Sequence, residues 1–551
     1  MIVWQSFLNM LRAAARDPIW AIVAIVLSPF RAGKYLAGAL LFTGLIAVAL
    51  LVAVEMATTS FGFRRGGPFQ VVGAIAIGAF VVALLYRQLT TPLIRHFGPL
   101  VGETHGSARF ATAAEAAPLT RAADGLLIGR DFKTAKVLRY SGPAHLLTIA
   151  PTRTGKGVGT LIPNLLTAHR SVVCIDPKGE NARIAGRARR RFGPVHVLDP
   201  FGISGSPSAA FNPLDALDPY GLDVAEQAAT LADALVYDPP GEAGEAHWNE
   251  EAKALISGLL LYIVAEEPPE RRTLTTLREL LTLAPETFQA LLAWMQASSA
   301  AGGLVARAAN RHRGKSDREA AGVLSAAQRH THFLDSPRMT RVLERSDFSF
   351  GDLKARTATV FLVLPPDRLG TYARWLRLLV TESLQDMART PDRPVVPVLY
   401  LLDEFAALGH LAPVERAMGL MAGYGVQLWP ILQDIHQLRA LYGQRAGSFL
   451  SNVGVLQVFG VNDHDSARLV SDLLGQSTVV FQTMSRALDA ERSGITYGEQ
   501  HVGRPLLTPD EVRNLPEHVE LLFLAGQRPI VAQKLRYYAE PEFAGAFDPV
   551  A

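Results

Sequence analysis

Two uncharged stretches constrain this chain more than any other feature. Tyr35–Val54 reads YLAGALLFTGLIAVALLVAV, 20 residues without a charge, and Phe69–Tyr86 reads FQVVGAIAIGAFVVALLY. Twenty helical residues cross a hydrocarbon core of about 30 Å, and a helix satisfies its own backbone there. A core helix of a soluble protein keeps a polar stripe, which neither segment has. The pair therefore reads as a membrane-spanning helical hairpin around a 14-residue connection, Glu55–Pro68. Ile19–Leu27 is also apolar but shorter, and reads as a separate helix lying in the interface. Arg12, Arg16, Arg31 and Lys34 precede the first span and Arg87 and Arg95 follow the second, while the connection sets Arg64 and Arg65 against Glu55. That bias places both termini in the cytoplasm. The first span begins at residue 35 with no small-residue cleavage pattern before it, as expected of a retained anchor rather than a signal peptide.

The anchor also explains the charge. The whole chain of 551 residues has a formal net charge of +3, but residues 1–100 hold eight basic and two acidic residues. The rest is slightly acidic, so a uniformly basic nucleic-acid surface is excluded and contact with a polyanion has to come from local patches. With 49% hydrophobic and 19% charged residues the chain is not disordered. A single cysteine, Cys174, excludes a disulfide framework and a cysteine metal site, and its apolar strand context marks it as an inert core thiol. The 14 histidines show no metal-ligand spacing.

Beyond about residue 100 the pattern changes to short β-branched runs alternating with helical stretches, the signature of a mostly parallel α/β sheet. Strands are expected at 145–150, 171–176, 195–198, 359–364, 398–403, 426–432 and 455–459. The first runs into Ala150-Pro151-Thr152-Arg153-Thr154-Gly155-Lys156-Gly157 and then an apolar helix starting at Val158. This is a P-loop pattern. Backbone N–H groups at a helix N-terminus wrap phosphates, and Lys156 neutralises β/γ charge. Two positions depart from the consensus: Ala150 replaces the first glycine and Gly157 replaces the Mg²⁺-binding hydroxyl, so Thr154 is the nearest hydroxyl to the expected metal. A glycine-rich turn alone is weak evidence.

A second motif reinforces it. Val398-Leu-Tyr-Leu-Leu-Asp403-Glu404 is an apolar strand ending in two carboxylates, the Walker B form. Asp403 would hold Mg²⁺ and Glu404 would polarise the attacking water. The bland alternative is an aspartate capping the next helix. The two motif strands are expected to be neighbours, and Gln433, ending the 426–432 strand, is placed to sense the γ-phosphate of ATP.

Together these residues resemble the TraG/VirD-type coupling proteins of type IV secretion and conjugation systems, whose nucleotide loop commonly carries Gly-Lys-Gly. Asp176-Pro-Lys-Gly-Glu180, Leu198-Asp-Pro-Phe201, Phe211-Asn-Pro-Leu214, His247-Trp-Asn249, Leu402-Asp-Glu-Phe405, Leu432-Gln-Asp434 and Arg504-Pro-Leu-Leu-Thr508 are similar segments in family order. The resemblance implies a RecA-like P-loop motor domain (101–221 and 344–551), an inserted all-α domain (222–343) and the membrane anchor (1–100). It implies an inner-membrane homo-hexamer that uses ATP and Mg²⁺. Its cargo would be a relaxase–DNA complex or protein effectors, delivered to the secretion channel with non-sequence-specific DNA contact. Pro151–Val158 would bind the nucleotide, Lys156, Glu404 and Gln433 would act on it, and Asp403 would hold the metal. One departure is that Met421–Tyr424, where the family places a trans-acting arginine, has none; Arg416, Arg439 or Arg468 are the substitutes available.

Two rival readings stay open at this level: a membrane-anchored DNA pump of the chromosome-segregation kind, and an effector-docking receptor that uses nucleotide as an assembly switch. Two basic runs, Arg183/Arg187/Arg189/Arg190/Arg191 and Arg307/Arg311/Arg313/Lys315/Arg318, read as solvated faces or as phosphate contacts. Asn249 reads as the N-cap of the long apolar helix that follows, with Trp248 packed beneath.

Overall fold

The computed structural model describes residues 2–16, 18–97, 105–237, 246–486 and 495–549. The expected boundary at 100/101 lies outside the described residues, as do the side chains of Arg12, Arg16, Arg31, Lys34 and Arg95. The chain divides into two compact units, one of residues 1–106 and 478–503, the other of 107–477 and 504–551.

In the first unit, two helices are long and apolar enough to cross a membrane, Tyr35–Ser60 and Pro68–Thr91. They pack closely where Gly73 faces Val54: a Cβ on that glycine would lie 3.1 Å from the valine methyl. At the connection Gln70 donates to Glu55 at 2.5 Å and Arg65 pairs with the same carboxylate at 3.2 Å. The separate interfacial helix expected at Ile19–Leu27 does not form. One helix runs from Pro18 to Ser60, straight through Ser28-Pro29. An apolar environment favours an unbroken helix there, because each backbone group left by a chain break would lack a partner.

Thirteen strands are described, β1 Leu126–Asp131, β2 Val137–Tyr140, β3 His145–Ile149, β4 Val172–Asp176, β5 Val195–Leu198, β6 Thr359–Val363, β7 Val398–Leu402, β8 Val426–Leu432, β9 Val453–Val458, β10 Gln476–Arg486, β11 Ile495–Pro505, β12 Val519–Leu524 and β13 Ile530–Gln533; all but β10 and β11, which lie mostly in the first unit, belong to the second. β10 and β11 form their own two-stranded sheet. The other eleven share one sheet in the order β2-β1-β13-β12-β9-β3-β8-β7-β4-β6-β5. From β9 to β5 every pairing is parallel. From β9 outward through β12, β13, β1 and β2 every pairing is antiparallel. The parallel strands are buried on both faces, which explains their near-continuous apolar runs. The sheet thus has RecA-like α/β character with an antiparallel extension, and four of the extension strands (β1, β2, β12, β13) escape the sequence pattern because they are short or interrupted by charge.

One neighbour relation differs from expectation. β8 lies between β3 and β7, so the P-loop strand and the Walker B strand are not adjacent. β3 and β7 each pair with β8, and on the β3 side two side chains of β8 add to the ladder: Trp429 Nε1 donates to Thr148 Oγ1 at 2.8 Å and Gln427 Nε2 to Ala144 O at 2.6 Å.

Between β5 and β6 the described chain forms no strand and carries helices at Val224–Leu235, Ala246–Glu266, Leu274–Leu281, Pro285–Ala297, Ala300–Arg313, Asp317–Thr331 and Pro337–Leu343. Asn249 is not an N-cap. The helix already begins at Ala246, and Asn249 Oδ1 reaches 2.8 Å to His330 Nε2 on the Asp317–Thr331 helix. Trp248 packs against Gly322, where a Cβ would come within 2.6 Å of the indole. Some members of the two basic runs are tied into structure. Arg311 and Lys315 share Glu251, at 2.7 and 2.8 Å. Arg189 is wholly buried and donates to Thr359 Oγ1 at 2.8 Å and to the Ala168 and Arg170 carbonyls at 2.5 Å each. Cys174 is buried within β4.

Candidate nucleotide site

The site sits where β3, β8 and β7 end together. Backbone from the end of β3 turns through Pro151–Lys156 into a short π-helical turn, Gly157–Leu161, and then the helix Ile162–Thr167. Gly155 holds φ +93, a left-handed conformation that favours glycine. Thr154 donates its hydroxyl to Pro151 O at 2.7 Å, so it braces the loop's own turn. A Cβ on Gly155 or Gly157 would meet nothing within 4 Å. The loop therefore faces open space on its phosphate side, and Gly157 leaves room where other P-loops carry a hydroxyl.

Lys156 is the centre of the charge arrangement. Its ammonium donates to Asp403 Oδ1 at 2.8 Å and to Glu404 Oε1 at 2.5 Å. Burial alone would lower the lysine, but the two carboxylates override it and hold its pKa above the ordinary value. Gln433 closes the circle: its amide donates to Glu404 Oε2 at 3.2 Å and its Oε1 accepts from Thr152 Oγ1 at 3.3 Å. The intervening position of β8 is what makes this possible, since it sets Gln433 between the loop and the carboxylates. A direct β3–β7 contact would have left it outside.

Backbone strain gathers here. Arg153 and Glu404 are two of the four non-glycine residues with left-handed φ among the described residues, at +66° and +49°. Such conformations cost roughly 1–3 kcal/mol each and persist where surroundings over-determine them. Glu404 is turned off the strand axis by this kink, which points its carboxylate at Lys156 and Gln433 rather than into the next helix.

Asp176, at the end of β4, plays a different part. It accepts the Ala182 N–H at 2.8 Å, and burial, with Asp403 nearby, raises its pKa to about 6. A Cβ on Gly179 (φ +65) would lie 3.0 Å from the Ser204 backbone, so a larger residue is strained at that turn. Asp176-Pro-Lys-Gly-Glu180 therefore anchors the helix Glu180–Arg190 and stands behind the Walker B strand. Of the substitutes for the missing arginine, Arg416, Arg439 and Arg468 are all exposed.

Sequence reasoning missed Lys534, which follows β13. Its ammonium donates to Thr154 O at 3.2 Å and Phe459 O at 2.7 Å, joining the P-loop to the end of β9. Burial lowers its pKa to about 8. No motif marks it, and only the antiparallel extension of the sheet delivers it to the loop.

A parallel strand, phosphate loop and helix facing a paired Asp-Glu define the fold class of a P-loop nucleoside-triphosphatase with a RecA-like sheet. Residues 112–549 match the family described as type IV secretory system conjugative DNA transfer, and the chain belongs to that family. It is 28% identical over 532 residues to conjugal transfer protein TraG of Escherichia coli, covering 86% of this chain and 84% of that one. It is 29% identical over 495 residues to protein VirD4 of Agrobacterium fabrum (strain C58), covering 85% and 70% respectively. Among solved structures, the unbound bacterial conjugative coupling protein TrwBdeltaN70 superposes with a TM-score of 0.59 at 18% identity, over 80% of this chain and 98% of that chain. The TrwB complex with ADP and Mg²⁺ gives 0.58 at 18% identity, over 78% and 94%. These superpositions show a shared fold.

Proposed function

We propose that this chain is the membrane-anchored ATPase that couples cargo to a type IV secretion or conjugation channel. The observation that supports it best is the convergence of Lys156, Asp403, Glu404 and Gln433 at one open loop, in a chain of the conjugative DNA-transfer family. The proposed division is an anchor at 1–100, a motor at 101–221 and 344–551, and an inserted all-α domain at 222–343. The anchor would hold the protein in a bacterial inner membrane by two spans, with the motor in the cytoplasm as a homo-hexameric ring. Its partners would be the channel components and a relaxase–DNA complex or protein effectors, with DNA held without sequence preference. The TrwB complexes with ADPNP and with ADP and Mg²⁺ support ATP and Mg²⁺ as the ligands.

The chemistry follows from the side chains. Arriving phosphates compete with Asp403 and Glu404 for Lys156, and the open face at Gly155 and Gly157 admits them to the backbone N–H groups. Once the lysine turns to phosphate, Asp403 is released as an oxygen donor, and its carboxylate, with the space left by Gly157, fits Mg²⁺. When bound, that ion neutralises developing phosphoryl charge. Glu404, now held only by Gln433, is free to orient a water and take its proton. Gln433, bonded both to Glu404 and to Thr152, links the occupied state of the loop to the base. The lysine–carboxylate pair thus keeps the base unavailable until nucleotide arrives.

The test is ATP hydrolysis by the full chain in lipid nanodiscs, with and without single- or double-stranded DNA. Turnover abolished by Lys156→Ala and raised by DNA is the expected result. Nucleotide binding and cargo docking with no turnover in the wild type would overturn the motor reading in favour of a nucleotide-set docking switch.

A further inference from the structure

A chain of contacts starts at Asn249, among the helices between β5 and β6, and ends on the turn that follows Glu404. Asn249 Oδ1 and His330 Nε2 are 2.8 Å apart, and Arg374 approaches the other nitrogen of the same ring at 3.2 Å. Arg374 lies on the helix Leu369–Arg389 and also donates to Tyr237 O at 2.9 Å. The Tyr237 ring in turn lies under Arg377, one turn further along that helix, with the guanidinium carbon 4.0 Å from the ring centre. Arg377 donates to Leu408 O at 2.5 Å and to His410 O at 2.7 Å. We propose that Tyr237 and Arg377 are positioning residues for Glu404, and that the Asn249–His330–Arg374 contacts make their hold depend on how the helices between β5 and β6 are packed. The inference rests on the nucleotide reading of the loop, and it gives a role to residues outside the loop and the Asp403-Glu404 pair.

Four observations carry it. The turn is short and begins at the base itself. Glu404 O accepts the Ala407 N–H at 2.8 Å and Ala406 O accepts the Gly409 N–H at 3.1 Å, so a shift at residues 408–410 reaches the left-handed backbone of Glu404 within two hydrogen bonds. The seat of Tyr237 is shaped for it. Gly409 has φ +65 and ψ −165, and a Cβ there would collide with the Tyr237 phenol, so only glycine lets the ring lie against the turn. Arg377 is committed to the same turn. It is 4% exposed, burial lowers its pKa to about 10, and among the described residues it forms no ion pair. A buried guanidinium is unfavourable unless its donors are used, and the Arg377 donors grip the two carbonyls that flank Gly409. The far end of the chain is fixed as firmly. Asn249 and His330 lie on different helices, and Trp248 is pressed against Gly322 on the helix that carries His330, which sets the two helices in register. Displacing these helices therefore pulls on Arg374 and Tyr237, and through Gly409 on the turn that aims Glu404.

The experiment measures kcat and Kd for ATP with the full chain in nanodiscs, together with hydrogen exchange at the Ala407 and Gly409 amides. Tyr237→Leu removes the ring and should lower kcat by about 10- to 100-fold, the scale of a catalytic group displaced by about 1 Å, with Kd unchanged. Tyr237→Phe keeps the ring between Arg377 and Gly409 and should restore kcat. Asn249→Ala, at the far end of the chain, should lower kcat and speed exchange of the two amides by about 2- to 30-fold, the usual range of coupling between linked sites. Added to Tyr237→Leu it should cost nothing more, because the contact it acts through is already gone. Normal kcat in Tyr237→Leu, an equal loss of kcat and ATP affinity, or additive effects in the double variant overturns the proposal. If Tyr237→Leu does not fold, exchange at Ala407 and Gly409 in Asn249→Ala decides, and unchanged exchange overturns the link. Lys156→Ala separates the two levels. Turnover that survives it, or none in the wild type, means that the motor reading itself fails, whereas turnover lost in Lys156→Ala but intact in Tyr237→Leu condemns the positioning role alone.

Discussion

Lys156 Nζ lies 2.8 Å from Asp403 Oδ1, so the residue expected to grip phosphate is held by the residue expected to grip the metal. The two motif side chains neutralise one another across the width of β8. On the proposed nucleotide reading, binding at this site would be an exchange of ionic partners, because a partly buried ammonium and carboxylate cannot separate without each finding a new counter-charge.

The exchange predicts how Glu404 behaves. Glu404→Gln keeps a hydrogen-bonding oxygen toward Lys156 but cannot accept a proton. Turnover should fall by about 10²–10⁴, the usual contribution of a general base, while ATP affinity stays the same or tightens because one competitor for the lysine is weakened. Parallel measurement of kcat and Kd decides it. A Kd loss as large as the kcat loss would show that Glu404 serves binding.

Gln433 holds Glu404 on one side and Thr152 on the other. Gln433→Ala should lower kcat by about 10- to 100-fold, the scale of a catalytic group misplaced by about 1 Å, with little change in Kd. An unchanged kcat would mean that Glu404 is oriented by its left-handed backbone alone.

Glu382 gives a pH signature unrelated to the site. It is 1% exposed, its Oε1 has no hydrogen-bond partner, and burial, reinforced by Asp386 against Arg389, raises its pKa to about 8. A carboxyl raised in the fold favours folding while it is protonated in both states, below its ordinary range near 4.3, and that advantage is lost as pH rises through about 8. Glu382→Gln stays neutral throughout. Its thermal stability relative to the wild type should therefore climb between about pH 5 and pH 8. A difference in Tm that does not vary with pH would contradict the assignment.

The basic run of the Glu180–Arg190 helix separates by burial. Arg189→Met strips donors from the Ala168 and Arg170 carbonyls and should cost at least about 2 kcal/mol, given about 1–3 kcal/mol for each buried group left unpaired. Arg190→Ala, at an exposed position, should stay within about 0.5 kcal/mol. Chemical unfolding of the two variants side by side tests this. Equal effects would mean that Arg189 does not have the buried role described.

Legibility in the sequence followed the range of the forces. The two apolar helices, the seven parallel strands, the P-loop and the Asp403-Glu404 pair are local patterns of hydrophobic period and turn chemistry, and could be read residue by residue. Strand order could not. β8 enters between β3 and β7 through pairings such as Thr148 with Ile431, almost three hundred residues apart, and nothing local encodes such a register. The same holds for Arg189, which looks like its exposed neighbours until the loop at 168–170 and Thr359 close over it. It holds too for Asn249, whose partner is on another helix, and for Lys534, carried to the loop by an antiparallel edge. The sequence alone determined which side chains could perform the chemistry. Tertiary structure decided which of them meet, because the long-range strand pairing that sets their distances is chosen by the packing of the whole sheet.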